Sequence, residues 1–227
     1  MQQIAFSFAS SDAYDSDEFI ESGSNSLACR VIDNWQNHWG VDPYPRALII
    51  QGPKASGKTF LAKKWAKNTD ALLIKKMHEI TENILDNHRS FIIEDFDSSW
   101  NEEKFLHIFN LLLENQKYLL VTCRALPEIK LPDLASRMKS VNLISIQQPD
   151  DEMMQMLIFK LFSNYSVVIS NEVVNFLIRV LPREFPAIIE SVKIINDFAL
   201  EHKRKITIPI VKRSLRHLFS DHKLKTK

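Results

Sequence analysis

Apolar residues follow two kinds of pattern along the chain, and the pattern changes near residue 149. Before that point, short and nearly continuous apolar runs alternate with segments in which apolar residues recur every three or four positions. The first pattern is typical of strands buried on both faces of a parallel sheet, and the second is typical of helices. The predicted strands are residues 47–51, 71–74, 90–94, 118–122 and 141–146, and the predicted helices include 25–39, 59–67 and 101–115. This alternation predicts an α/β domain with right-handed crossovers.

After Gln147-Gln148-Pro149 only the helical spacing remains. It predicts helices over residues 150–162, 171–181 and 186–202, and a last helix that begins near Thr207 with Pro209 in its first turn. We therefore divide the chain into an N-terminal tail (1–24), an α/β domain (25–148) and an all-helical domain (149–227). The tail is rich in Ser and Asp, and we expect it to be flexible.

Composition and charge narrow the class of protein. The chain has only four glycines, where average usage would give about 16, which excludes a collagen-like repeat and disfavours a hairpin-rich β fold. The net charge of +1 provides no global basic field, although residues 203–227 carry nine Lys or Arg and one acid. Two cysteines, a polar start and the lack of a long apolar run lead us to expect a cytoplasmic protein without membrane contact.

One segment carries a specific chemical signal. It is a complete G-x-x-x-x-G-K-[ST] motif between a predicted strand and a predicted helix, formed by Gly52, Pro53, Lys54, Ala55, Ser56, Gly57, Lys58 and Thr59. Its backbone N–H groups and the helix N-terminus are suited to bind phosphate. We expect Lys58 to reach the phosphates of ADP or ATP and Thr59 to bind Mg²⁺. Lys54 either contacts phosphate or faces solvent.

Two acidic residues stand at the end of the predicted strand 90–94: Glu94 is its last residue, and Asp95 directly follows it. In a nucleotide hydrolase the first acid of such a pair holds Mg²⁺ and the second orients the attacking water, so we assign Glu94 and Asp95 these roles. Their order is the reverse of the usual pair, and a misplaced water would slow hydrolysis severely. The alternative is that both acids cap the following turn.

The order of these features resembles the AAA+ ATPases, and within them the Hda-like, DnaA-related regulators of replication initiation found in alphaproteobacteria. Asn25-x-x-Ala28 is similar to the segment that cradles adenine in DnaA, and the stretch that ends in Arg137 resembles the arginine box of the initiators. Residues 204–212 are similar to a lid segment of Hda. The resemblance covers essentially the whole chain. It implies an AAA+ P-loop core with a five-stranded parallel sheet, followed by a small all-α lid, and a bound ADP or ATP with Mg²⁺.

The resemblance also implies partners. Gln3, Ile4, Phe6 and Phe8 resemble the peptide with which Hda binds the DNA polymerase sliding clamp, the β subunit. In an extended peptide, alternate apolar side chains can enter pockets while the glutamine hydrogen-bonds; the alternative is a disordered tail or an edge strand. Arg137 corresponds to an arginine finger that acts in trans on ATP held by DnaA. The alternative is that Arg137 is an ordinary surface arginine.

Two positions depart from the family pattern. Arg124 stands where the initiators have an acidic sensor residue, and Pro186 stands where they have a sensor arginine, for which Arg183 in the preceding turn is the nearest substitute. With the reversed acids, these departures predict weak or absent ATPase activity. The implied function is a clamp-bound adaptor that promotes hydrolysis of DnaA-bound ATP and so lowers replication initiation.

Two other classes remain open: an active AAA+ ATPase that remodels proteins as a helicase loader does, and a P-loop nucleotide kinase. The sequence also leaves open whether the chain self-associates, and it favours only weak or indirect contact with DNA, through the basic segment after residue 202.

Overall fold

The computed structural model describes residues 19–39, 45–74 and 82–216. The strands are β1 Ala47–Gln51, β2 Leu72–Leu73, β3 Ser90–Ile93, β4 Tyr118–Cys123 and β5 Asn142–Ser145. The helices are α1 Ser26–Asp33, α2 Trp35–His38, α3 Lys58–Thr69, α4 Glu82–Asn87, α5 Glu102–Glu114, α6 Pro132–Ser140, α7 Asp151–Asn164, α8 Asn171–Val180, α9 Phe185–Glu201 and α10 Ile208–Ser214.

The five strands form one parallel sheet in the order β2-β3-β4-β1-β5. β1 is an interior strand that pairs with β4 on one side and with the edge strand β5 on the other, so that Ile49 lies beside both Val121 and Leu143. Because the strands are parallel, the carboxyl ends of β1, β3 and β4 meet at one edge of the sheet, which is where ligands bind in open α/β sheets. The predicted α/β architecture is confirmed.

Two apolar clusters cover the two faces of the sheet. Successive residues of β1 alternate between them: Ala47 and Ile49 face the cluster with α5 and α6, whereas Leu48 and Ile50 face the cluster with α1 and α3. All four are at most 1 % exposed. Truncation of such a leucine or isoleucine to alanine costs roughly 2–5 kcal/mol, so these contacts hold the carboxyl edge in place.

The lid domain, α7 to α10, has an apolar cluster of its own that begins at Met154. Asp150 caps α7 by accepting a hydrogen bond from the Met153 N–H at 2.7 Å, and Ser170 caps α8 in the same way from Val173. Thr207 is the N-cap residue of α10, as predicted, although its side chain makes no cap hydrogen bond. The separate core is consistent with a boundary near Pro149.

The predicted helix over residues 25–39 is interrupted at Asn34. Its backbone leaves the helical region, with φ −110° and ψ 31°, and its side-chain amide donates to the Arg30 carbonyl at 3.0 Å. An asparagine that bonds the preceding turn offers the backbone an alternative to the helix, which explains the break. In the described part of the chain, no helix is long and apolar enough to cross a membrane.

Candidate functional site

The phosphate-loop motif lies between the end of β1 and the start of α3. Gly57 is the N-cap of α3 and has φ +90°, a left-handed conformation that favours glycine. A Cβ added at Gly57 would also lie 2.5 Å from Cε2 of Phe19. Glycine at this position is therefore required both by the backbone turn and by the aromatic ring packed over it.

Lys58 is a buried cation in this loop. It is 7 % exposed, and its Nζ donates to the Gly52 carbonyl at 2.9 Å and the Pro53 carbonyl at 2.8 Å. Burial lowers the pKa of Lys58 from its usual value, and nearby Asp95 partly opposes this effect. The buried hydroxyl of Ser56 has no hydrogen-bond partner among the described residues. A buried ammonium and an unpaired hydroxyl donor fit a phosphate anion between them.

The loop opens into a cleft of about 410 Å³ between the α/β domain and the lid. Five basic side chains and a single carboxylate line it in the described part of the chain: Lys54, Lys58, Lys63, Arg124, Lys160 and Asp95. Lys54 lines the cleft with an exposed side chain, and its contact with phosphate remains a prediction. The strong excess of positive charge suits a polyanionic ligand.

The rest of the cleft is largely apolar. Phe19 stacks on Phe60 with ring centroids 4.5 Å apart, and the lid contributes four side chains from α7 and α9: Met153, Leu157, Phe185 and Ile189. An apolar wall beside a cationic loop matches the two parts of a nucleotide, a flat base and a charged phosphate chain.

Asn25 lies at this wall and is 4 % exposed. Its amide donates to the Ile20 carbonyl at 2.8 Å, and its carbonyl oxygen accepts from the Ser22 N–H at 2.9 Å. The side chain is therefore occupied in shaping the segment that carries Phe19 and Ile20. The last residues of the predicted flexible tail, 1–24, are therefore packed rather than free: Phe19 and Ile20 line the cleft, and Ser22 and Ser24 are buried. Phe19 also packs against the apolar cluster to which the buried residues of α1 belong.

The two acids at the end of β3 take different positions. Asp95 lines the cleft and has a left-handed backbone with φ 51°, and its N–H donates to Thr122 Oγ1 at 3.2 Å. Glu94 is not among the residues lining the cleft, and its Oε1 is buried without a hydrogen-bond partner in the described part of the chain. The strand ends one residue before the predicted limit, at Ile93. The proposed roles of Glu94 in Mg²⁺ binding and of Asp95 in water activation remain predictions.

The structure decides which arginine is near the loop. Arg124, which directly follows β4, lines the cleft with Lys58 and Asp95. Arg183 is hydrogen-bonded to the carboxylate of Asp151 and to the Pro149 carbonyl, the latter at 3.4 Å, and does not line the cleft. The prediction that Arg183 substitutes for a sensor arginine is therefore not supported by its position. Pro186 lies in the first turn of α9, as expected, with Phe185 beside it in the cleft wall.

Arg137 is exposed on α6, outside its own cleft. Its Nε lies 3.5 Å from Asp133 Oδ1, one helical turn away. The N-terminus of α6 is held by Glu102 of α5, whose carboxylate accepts hydrogen bonds from the N–H groups of Lys130 at 3.0 Å and Leu131 at 2.6 Å. These bonds lower the pKa of Glu102. The residues predicted to bind the clamp, Gln3, Ile4, Phe6 and Phe8, lie outside the described residues.

Several lining residues were not predicted from the sequence. Phe60 and Lys63 could have been found, because they follow the motif in the first turns of α3. Phe19 and the lid side chains had no local signal in the sequence.

The described residues contain no ready-made metal site, because no group of three His, Cys, Asp or Glu in the described ranges is arranged to hold an ion. Mg²⁺ bound here would therefore rely on Thr59, one carboxylate and the phosphates themselves.

The parallel sheet in this order, the phosphate loop that follows the interior strand β1 and the helical lid beside it define an AAA+ P-loop protein. The family model for the lid domain of Hda matches residues 150–215. An uncharacterized protein of Haemophilus influenzae is 26% identical over 186 residues, which cover 74% of this chain and 80% of that protein.

Two solved structures show the same fold. Domain III of the replication initiation protein DnaA from Thermotoga maritima superposes with a TM-score of 0.70 at 15% identity, covering 92% of this chain and 98% of that one. AMPPCP-bound DnaA from Aquifex aeolicus superposes with a TM-score of 0.67 at 20% identity, covering 92% of this chain and 70% of that one. The chain therefore has an AAA+ fold similar to that of DnaA and a lid domain similar to that of Hda.

Proposed function

We propose that this protein is a nucleotide-binding adaptor that binds the sliding clamp and promotes hydrolysis of ATP held by DnaA, thereby lowering replication initiation. The lid match to Hda and the DnaA-like fold support a regulator of this kind. In this proposal the cleft binds ADP or ATP through Lys58, Ser56 and Thr59, with the base against the apolar wall. Bound nucleotide orders the lid against the α/β domain, because both domains line the cleft.

The position of Arg137 is the observation that carries the proposal. Its guanidinium is exposed and lies outside its own cleft, and among the residues that the structure describes its one ion pair is a long intrahelical one with Asp133. An exposed ion pair of this length contributes little stability, so the side chain is free to turn toward another molecule. An arginine presented in this way serves a nucleotide on a neighbouring subunit, where it offsets the charge that develops during phosphoryl transfer.

The residues around the phosphate loop support the expectation that the protein's own ATPase activity is weak. Arg124 rather than an acid lines the cleft with Lys58 and Asp95, and the longer acid, Glu94, is not among the lining residues. A cation strengthens phosphate binding but provides no base to orient a water. These features favour a nucleotide held as a structural element over one that is turned over.

The test is hydrolysis of ATP bound to purified DnaA in the presence of clamp loaded on DNA. Wild-type protein is expected to accelerate it, and Arg137→Ala is expected to lose about 10³-fold or more of that acceleration. Lys139→Ala, which removes an exposed cation from the same helix, is the matched control and should remain active. Unchanged activity of Arg137→Ala would overturn the role of the finger.

Clamp binding is tested separately, with Gln3→Ala and Phe8→Ala in a pull-down on the purified clamp. Both variants are expected to lose binding while retaining nucleotide, and undiminished binding would exclude this segment as the contact. The same preparations address the active-ATPase alternative. Turnover by the protein without DnaA at about 1 s⁻¹ or faster, within the usual range of enzymes, would favour a remodelling ATPase instead.

A further inference from the structure

The nucleotide cleft has an apolar wall beyond the phosphate loop. On the α/β side this wall is formed by Phe19, Ile20 and Phe60, and on the lid side by four apolar side chains of α7 and α9. Phe185 of the lid is 4 % exposed, and Phe60 is half-buried. The base of a bound nucleotide would therefore meet rings and aliphatic side chains from both domains.

Side-chain acceptors of hydrogen bonds are few along this wall. In the part of the chain that the structure describes, four side chains with an accepting oxygen line the cleft: Asn25, Ser56, Thr59 and Asp95. Ser56 and Thr59 belong to the phosphate-loop motif, and Asp95 lies just after β3, at the carboxyl edge that carries the loop. Asn25 is therefore the one of these four that can meet a base at the apolar wall.

The amide of Asn25 is already engaged within its own segment. Its oxygen accepts from the Ser22 N–H, and its nitrogen donates to the Ile20 carbonyl. The hydroxyls of Ser22 and Ser24 lie 2.9 Å apart, and the Ser24 N–H donates to Ser22 Oγ at 3.2 Å. The Ser24 carbonyl accepts from the Gln147 N–H at 3.0 Å, just after β5. These polar groups hold the segment together, and the side chains that it presents to the cleft beside Asn25 are apolar.

We propose that the cleft binds nucleoside diphosphates with little selection of the base. The inference rests on the proposed nucleotide-binding function and deepens it by assigning the class of ligand. Adenine and cytosine carry an exocyclic amino group where other bases carry a carbonyl oxygen. A site distinguishes the two kinds by an acceptor placed against the amino group. Here the acceptors are engaged at Asn25 or lie at the phosphate end, so the base is held by stacking and apolar contact.

The lysines on the helices around the cleft do not supply this selection either. Lys63 lies on α3 and Lys160 on α7, and both line the cleft. An ammonium group donates hydrogen bonds and accepts none, so it cannot bind an exocyclic amino group. All bases, in contrast, carry ring or carbonyl acceptors to which it can donate. These lysines therefore give adenine no advantage over other bases.

The stacked pair of Phe19 and Phe60 suits any base. The two rings are nearly parallel with centroids 4.5 Å apart, so that one ring supports the other. Bases of every kind stack on aromatic rings, because every base has a π-face. A site that hydrogen-bonds a ligand group instead rejects the analogue without that group by about 10⁴- to 10⁵-fold. A series of bases therefore distinguishes the two kinds of site.

The test is isothermal titration calorimetry of the full chain with ADP, IDP, CDP, UDP and pyrophosphate. ADP and IDP share a purine ring and differ in an amino group against a carbonyl, and CDP and UDP form the corresponding pyrimidine pair. Affinities within each pair are expected to agree within about tenfold. Pyrophosphate, which lacks a base, is expected to bind about 5- to 150-fold more weakly than ADP.

The possible failures are distinguishable. A preference above about tenfold within either pair would overturn the inference and leave nucleotide binding intact. Pyrophosphate that binds as tightly as ADP would also overturn it, by showing that the apolar wall does not hold the base. The absence of binding by all four diphosphates would overturn the proposed nucleotide site and the inference with it.

Variants of the wall test the role of Asn25. Asn25→Ala is expected to weaken ADP and IDP by the same factor, because it loosens the segment that carries Phe19, and a changed ratio of the two affinities would show that Asn25 selects the base. Asn196→Ala is the matched control, since Asn196 is a buried asparagine of α9, 3 % exposed and outside the cleft, and its ADP affinity should stay within about twofold.

Phe60→Leu tests the stacking surface without removing its bulk. It is expected to weaken all four diphosphates by about threefold or more and to leave pyrophosphate unchanged. Wild-type affinity of this variant for the diphosphates would overturn the stacking contact. Circular dichroism confirms that each variant is folded, and the wild-type pairs decide the inference if Asn25→Ala is not.

Discussion

The ring of Phe19 lies parallel to the ring of Phe60, with centroids 4.5 Å apart and planes 8° apart. Phe60 belongs to the first turn of α3, directly after the phosphate loop, whereas Phe19 belongs to a segment far earlier in the chain. The same Phe19 ring covers Gly57, where no Cβ would fit. One contact thus joins the N-terminal segment, the loop and the apolar wall of the cleft.

From this contact we expect Phe19→Ala to bind ADP about 2- to 12-fold more weakly than wild type. Aromatic stacking contributes about 0.5–1.5 kcal/mol beyond the buried area, which corresponds to that range. Isothermal titration calorimetry provides the measurement. Tyr165→Ala, a half-exposed aromatic residue of the lid outside the cleft, is the control. Equal ADP affinity in Phe19→Ala and wild type would show that the stacked pair does not belong to the nucleotide site.

Arg124 and Arg183 provide a paired test of which arginine contacts nucleotide. Arg124→Ala is expected to lower ADP affinity about tenfold or more, because a charge-assisted hydrogen bond contributes about 1.5–3 kcal/mol. Arg183→Ala should leave affinity within about twofold, since its guanidinium is bound to Asp151. A larger loss for Arg183→Ala than for Arg124→Ala would reverse the assignment made from the cleft geometry.

A substitution at Lys58 should separate the contribution of this residue to nucleotide binding from its contribution to the stability of the unliganded protein. The pKa of its buried ammonium is lowered, so the native state disfavours the charged form. This cost is present at neutral pH and is relieved as pH rises through the folded pKa toward 10.5, the unfolded value. Lys58→Met is therefore expected to have an apo Tm at least equal to that of wild type.

The same variant should lose the stabilisation by nucleotide. Ligand at 100 times Kd stabilises the wild type by about 2.7 kcal/mol, or roughly 5–10 °C in Tm for a chain of this size. We expect no shift with Lys58→Met in a thermal melt with and without ADP. A substantially lower apo Tm for Lys58→Met would show that its two carbonyl hydrogen bonds outweigh the cost of burying the charge.

Glu102 is expected to position the arginine box. Its carboxylate bonds the N–H groups of Lys130 and Leu131 at the start of α6, and these bonds lower its pKa from 4.5. The resulting stability is present above pH 4.5 and is lost as pH falls through the folded pKa. The Tm difference between wild type and Glu102→Gln should therefore shrink on acidification below about pH 4.5, as followed by circular dichroism.

If Arg137 acts in trans, Glu102→Gln should also weaken stimulation of DnaA-bound ATP hydrolysis while ADP affinity is retained. Glu103→Gln, which changes the neighbouring carboxylate of α5, is the control. Loss of ADP affinity in Glu102→Gln would instead indicate a general disturbance of the fold.

The local elements were predictable because each depends on a short stretch of chain. The strands were recognised by apolar runs, β1 with both ends correct, and the loop by a motif that needs only neighbouring residues. The break at Asn34 was missed because the helical spacing continues through Trp35 and Trp39, whose rings pack instead against Trp65 of α3. Packing between distant segments overrode the local pattern there.

By itself, the sequence determined the class of fold, the lid and the phosphate loop, since periodicity, caps and the loop backbone are local properties. Only the tertiary structure decided which side chains share a site. Arg183 pairs with a carboxylate 32 positions away, which keeps it out of the cleft, whereas Arg124 and Phe19 reach it because the crossovers bring distant segments to one sheet edge. The physical reason is that charge pairing and ring stacking depend on distance in space, which spacing along the chain does not encode.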